Sequence, residues 1–190
     1  MKIEVVIKVG GGLLEHEGRL ATVLAAIGAV ASIRRTLIMP GGGPFADTVR
    51  DLDRRIGLSE DAAHWMAVLA MDQYAHVIAD RFANSVLASS RDEIAAALDA
   101  GRVPVLAPAR WLREADPLPH SWDVTSDSIA AWVAGEVGAG QLILVKPPGA
   151  TGTLVDSYFT RALPAGVAVS TIAADRLDAI AAALAMAIPH

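Results

Sequence analysis

"VVIKVGGGLL", residues 5–14, is an apolar run with one lysine inside it and three glycines behind it. Isoleucine and valine dominate Ile3 to Val9 and the glycines end the run, so the segment predicts a β-strand. Its almost continuous apolar character matches a parallel strand covered on both faces. Lys8 is foreign to such a strand unless the strand's end has a use for a charge. "TLIMPGGGPF", residues 36–45, repeats the device: a short apolar strand, Thr36 to Pro40, followed by Gly41, Gly42 and Gly43.

Between and after these turns the periodicity becomes helical, over about Glu17–Ile27 and again over Phe45–Arg55. Strand, glycine turn and helix thus occur twice in the first 55 residues, which is βαβ organisation. Asp61 to Leu87 lacks glycine and proline and predicts one long helix, with Trp65, Leu69, Ala70, Tyr74, Val77 and Ile78 at helical spacing. A helix over Arg91–Ala100, a strand over Val103–Pro108 and a mostly looped stretch over 108–122 follow. Thr125, Ser126 and Asp127 then open a helix that runs to about Val137. "QLILVKPPG", residues 141–149, is a third apolar strand carrying a lysine, Lys146, before a turn. A last strand over Val167–Ile172 and a last helix over Asp175–Met186 complete an alternation that predicts an open, mostly parallel sheet flanked by helices.

The chain has 190 residues, 53% of them hydrophobic and 19% charged. That length suits one domain with a sizeable core, and the composition excludes disorder. A formal charge of −5 provides no polybasic face, and arginines not interleaved with aromatics argue against a nucleic-acid platform. The absence of cysteine rules out disulfides, thiolate catalysis and cysteine-based metal sites. Neither a secretory h-region nor a membrane-spanning run is evident, so a cytoplasmic protein with no membrane partner is expected. The alanine-rich segment Asp61–Leu87 suggests a homo-oligomer.

In an open α/β sheet ligands favour the crevice outside the C-terminal strand ends, and both glycine triplets belong at such ends. Glycines let backbone amides approach a polyanion with no Cβ in the way, and a lysine adds a compact positive charge. The local alternatives are ordinary turns and a lysine that snorkels to solvent. Gly10, Gly12 and Glu15 do not complete G-x-G-x-x-G, and no G-x-x-x-x-G-K-[ST] occurs, which disfavours a dinucleotide oxidoreductase or a P-loop ATPase. Asp127 reads either as a helix cap or as a carboxylate between Lys8 and Lys146 that orients both ammonium groups and helps position magnesium. Asp72, His76 and Asp80, four apart on one stripe, read as a solvated face rather than a metal site. His120 and Asp123 read as polar surface and structural positions, and Trp65 and Trp132 as packing residues.

The segments "IKVGGGLL", "IMPGGGPF" and "DVTSDSIAAWVA" resemble the amino acid kinase superfamily over most of the chain. With "MPGGGPFADTVR" and "AMDQYAHVIAD" added, the sequence is most similar to the aminomethylfuran-methyl phosphate kinases of methanofuran biosynthesis. The resemblance implies a three-layer α/β/α sandwich, residues 1–190 forming one domain with a shortened C-terminal nucleotide-binding part. It implies an ATP-dependent, magnesium-assisted kinase for a small-molecule phosphate. Lys8, Gly10, Gly11, Gly12 and Lys146 would meet the ATP phosphates; Gly41, Gly42, Gly43 and Arg50 would hold the acceptor. Lys8, Asp127 and Lys146 would form the catalytic centre. "LVKPPGATG", residues 144–152, departs from the family's threonine-aspartate pair, and the later family lysine is absent, so Lys146 is its candidate replacement. Other small phosphates, amino acids or carbamate remain alternative acceptors, and a nucleotide-binding regulator the alternative in kind.

Overall fold

Val5–Val9 forms strand β1 and its glycines continue into a 3₁₀ turn, Gly11–Glu15. Helix α1 (Arg19–Ala31) leads to β2 (Thr36–Pro40), then α2 (Gly43–Ile56) and α3 (Glu60–Arg81). Strand β3 (Ser85–Ala88), α4 (Arg91–Asp99), β4 (Val103–Leu106) and α5 (Ala109–Ala115) follow. The chain continues through α6 (Ser126–Glu136), β5 (Gln141–Lys146), α7 (Phe159–Ala162) and β6 (Ala168–Ala173). This computed structural model describes residues 2–150, 155–176 and 182; most of the helix expected over Asp175–Met186 lies outside them.

The six strands are parallel throughout, in the order β3-β4-β2-β1-β5-β6. Strand alternation divides the core into two faces. Val6, Leu37, Met39, Leu142 and Leu144 pack under α6, while Val5, Ile7, Val9, Ile38, Ile143 and Val145 pack against α1. Burying each of these side chains contributes roughly 1.5–3 kcal/mol before the cost of ordering the chain. The result is the expected three-layer sandwich, more uniformly parallel than the sequence required.

Two expectations along the chain need correction. Asp61–Leu87 is not one helix: α3 ends at Arg81, Asn84 takes a left-handed φ of 65°, and Ser85–Ala88 becomes the edge strand β3 paired with β4. The sheet offers Ser85 to Ala88 a ladder partner, and the helical spacing of residues 65–78 does not extend to them. The stretch 108–122 is not mostly loop at its start, because α5 buries Trp111 and Leu112 in the core. Asp72 of α3 makes this helix possible by accepting the Ala109 amide at 3.0 Å, a cap supplied from a distant segment.

β1 lies where the chain order reverses, with β2 on one side and β5 on the other. The crevice beyond its C-terminal end is therefore the place where this type of sheet favours a ligand.

Candidate active site

The two glycine triplets meet there, backbone against backbone. A Cβ on Gly11 would lie 2.0 Å from the Gly43 amide nitrogen, and one on Gly41 would lie 2.8 Å from the Gly11 nitrogen. No side chain fits between these turns, and Gly43 also needs its φ of 58°. The 3₁₀ turn and α2 both begin without a side-chain cap, which leaves helix-terminal amides for an anion. Gly11, Gly12, Gly42 and Gly43 line a cavity of about 270 Å³.

The glycines do not all do the same job. Gly10 gives its amide to the Val145 carbonyl at 2.8 Å, and its own carbonyl accepts the buried Tyr74 hydroxyl at 3.2 Å. Burial pushes the Tyr74 phenol up, so it remains a donor. Gly41 likewise gives its amide to Val9. Gly10 and Gly41 stand behind the cavity and set the turns, whereas their neighbours face it.

Register decides where the lysines go. Lys8 pairs across the ladder with Leu144, so Lys146, two residues further along β5, projects from the same sheet face. Helix α6 covers that face and presents Asp127 from its first turn. Lys8 Nζ lies 2.9 Å from Asp127 Oδ1, and Lys146 Nζ donates to Oδ2 at 2.6 Å. Each ammonium thus faces its own oxygen of the one carboxylate. All three side chains are buried. Lys8 and Asp127 line the cavity, and Lys146 reaches it through Asp127.

Burial pushes the Lys8 ammonium below its ordinary range, against the pull of Asp127, and the nearby Lys146 lowers it further. Burial would raise the Asp127 carboxyl, but the two ammonium groups outweigh it and hold the carboxyl below the usual carboxylate range. Asp127 is therefore a carboxylate at neutral pH, and it offsets part of the cost of burying two cations.

Asp156 is a participant that the sequence pattern did not reveal. Its Oδ2 accepts from the Thr125 amide at 3.0 Å, the Thr125 hydroxyl at 2.7 Å and the Ser128 amide at 3.1 Å, and its Oδ1 from the Ser128 hydroxyl. A carboxylate from beyond β5 thus caps α6 and fixes the turn that carries Asp127. Thr125 accordingly serves the helix start, and Ser126 lines the cavity.

The cavity's remaining wall comes from α2, α3 and the segment before α6. Arg50 lines it, is paired with Asp47 at 2.7 Å, and lies over the Trp122 ring at 4.9 Å. His64 also lines it; burial, and then the neighbouring His120, push its pKa down to about 4, leaving a neutral imidazole. His120 stacks on His64 with ring centroids 4.1 Å apart and lies between Asp61 and Asp116. Asp72, His76 and Asp80 are absent from this wall. No group of three or more histidine or acidic side chains able to hold a metal occurs among the described residues.

The amino acid kinase family model matches residues 4–147, which span both glycine turns, Asp127 and Lys146. The chain belongs to the amino acid kinase family. Among curated proteins, this family member is similar to the (5-(aminomethyl)furan-3-yl)methyl phosphate kinase of Methanocaldococcus jannaschii, with 28% identity over 142 residues. That alignment covers 73% of this chain and 63% of the relative, so the chain spans somewhat less than two thirds of the relative's length. Among solved structures it resembles uridylate kinase from Archaeoglobus fulgidus, with a TM-score of 0.59, 20% identity, and coverage of 76% of this chain and 63% of that one. UMP kinase from Ureaplasma parvum gives a TM-score of 0.60 at 17% identity, with 80% and 69% covered. These structural likenesses establish the amino acid kinase fold. Among the described residues no helix is long and apolar enough to cross a membrane.

Proposed function

We propose that this protein is an ATP-dependent kinase that phosphorylates the phosphate group of a small aminomethylfuran to give a diphosphate. The observation that carries the reading is the pair Lys8 and Asp127 on the wall of a glycine-lined cavity, with Lys146 held behind them by Asp127. The name of the curated relative supports the choice of acceptor.

An acceptor phosphate oxygen attacks the γ-phosphorus of ATP, and the bond to the β,γ-bridging oxygen breaks, leaving with its electron pair on ADP. No protein base is required, because the attacking oxygen is already anionic. Positioning and charge neutralisation are then the protein's whole contribution. Gly11, Gly12, Gly42 and Gly43 are the cradle, since a Cβ at any of them would meet a neighbour within 3.2 Å. Lys8 neutralises the charge that shifts onto the transferring oxygens, with Lys146 adding a second positive charge behind it and Asp127 fixing both. Gly10 and Gly41 hold the turns from behind. Magnesium would be carried on the ATP phosphates, with Asp127 the carboxylate at hand, and would supply further charge neutralisation. Arg50 stands on the acceptor wall.

The decisive test is a mass-resolved acceptor panel with purified protein, magnesium and ATP. The phosphorylated aminomethylfuran alcohol should be converted to its diphosphate, and acetylglutamate, carbamate and uridylate should be poor acceptors. Preferred phosphorylation of a competitor would replace the acceptor; ATP binding without transfer to any of them would favour a regulator.

The same reading includes self-association through α3. Most of its apolar residues pack internally, but Leu69 stays 47% exposed. Light scattering over a concentration series should show a mass above one chain, and a persistent monomer would end this part of the proposal.

A further inference from the structure

The acceptor cavity is a trough between two helices, and its two ends differ in charge. Gly43, Ala46, Asp47, Arg50 and Asp53 of α2 line it, a spacing that places them on one helix face. Ten residues at 1.5 Å each put Asp53 ~15 Å along α2 from the glycine turn. Helix α3 follows α2 after a three-residue connection and packs back along it, so Glu60, His64, Val68 and Met71 form the facing wall in reverse order. Asp53 and Glu60 consequently share the end furthest from the glycine cradle and Lys8.

The acidic side chains along the trough are not equivalent. Asp47 is neutralised by Arg50. Asp53 has no cationic partner among the described residues, yet it is firmly oriented. The Leu58 amide donates to its Oδ1 at 2.8 Å and the Trp122 indole N–H to its Oδ2 at 2.8 Å. Two neutral donors leave the full negative charge in place and one lone pair free on each oxygen. Glu60, exposed in the first turn of α3, likewise has no ion-pair partner among the described residues. Val68, Met71 and Ile129 supply apolar wall between these carboxylates and the cradle, and the Trp122 ring already carries a cation on one face.

We propose that Asp53 and Glu60 bind a primary ammonium at the end of the acceptor opposite its phosphate, making the cavity selective for a small ring with an anionic and a cationic terminus. This rests on the kinase reading above and assigns the residues that discriminate among phosphate acceptors. Asp53, set by Trp122 and Leu58, supplies the fixed carboxylate; Glu60 supplies the second. A charge-assisted hydrogen bond to each is available only to a cationic group.

The test compares aminomethylfuran phosphate with the analogue carrying a hydroxymethyl group in place of the aminomethyl, by kcat/KM and by calorimetric binding without ATP. The wild-type protein should favour the ammonium compound by roughly ten- to hundredfold in both measurements, the scale of one hydrogen bond to a charged group. Asp53→Asn and Glu60→Gln should each bring that ratio towards one, chiefly through KM. Asp51→Asn, whose carboxylate is exposed and paired with Arg54 away from the cavity, should keep the wild-type ratio. Glu60→Gln makes the test independent of folding at Asp53, because the exposed Glu60 side chain holds no hydrogen bond or ion pair among the described residues. Equal use of both acceptors by the wild-type protein, or an unchanged ratio in both cavity variants, would overturn the assignment while leaving the kinase intact. Ammonium-selective binding without transfer would instead overturn the kinase reading and leave the assignment standing.

Discussion

Lys8→Ala should turn over roughly 10²–10³-fold more slowly than the wild-type protein, the loss found when one preorganised electrostatic donor is removed from a site of charge development. The side chain projects from the C-terminal part of β1 into the cavity, and its neighbours Ile7 and Val9 face the other core layer. Its removal should therefore leave the sheet in place, and Asp127 keeps Lys146 as a partner. The ammonium is needed more in the transition state than in the resting complex, so kcat should fall further than KM rises. Steady-state kinetics with circular dichroism on the same preparation separates chemistry from folding. Near-wild-type turnover in a folded Lys8→Ala protein would reduce the lysine to a buried ion-pair partner and remove the main support for phosphoryl transfer.

Asp127→Ala should act on the fold as well as on the chemistry. Without the carboxylate, two buried ammonium groups share one pocket with no counter-charge, a change that typically costs about 3–5 kcal/mol. For a chain of this size that corresponds to a fall in Tm of roughly 6–20 °C. The pH dependence should change in sign-specific ways. In the wild-type protein the Asp127 carboxyl lies below its unfolded value, so its stabilisation is complete above the ordinary carboxylate range and is lost as pH falls through the native value. That acid-side term should vanish in the variant. On the alkaline side, the native variant should release lysine protons that the unfolded chain still holds, so its stability should climb with pH more steeply than the wild type's. Thermal melts across the pH range test both limbs, and an unchanged Tm at neutral pH would show that the constellation contributes nothing to the fold.

Much of this arrangement was legible in the sequence because the relevant signals are local. A strand ended by glycines is recognisable from a few residues, and three lysine- or glycine-marked strand ends in one alternating pattern point to the crevice at those ends. Lys8, Asp127 and Lys146 could be named as partners from family resemblance together with their places at element ends. The two misread stretches failed for the opposite reason. Ser85 to Leu87 read as a continuation of the helix for want of a glycine or proline between Ile78 and Leu87, and they form a strand because β4 lies beside them. Ala109 to Ala115 become a helix because Asp72, more than thirty residues earlier, caps it.

The residue pattern by itself determined the α/β alternation, the glycine turns at strand ends and the charge types available to the site, since these depend on backbone freedom and side-chain chemistry over short spans. Tertiary structure alone decided which glycines face the cavity, because the Gly10 and Gly41 amides are taken by Val145 and Val9. It also decided that Asp156 caps α6 and that, among the described residues, Asp53 has no cationic partner while Asp47 has Arg50. Each of these depends on a partner brought close by sheet register or helix packing, and no window of sequence contains that distance.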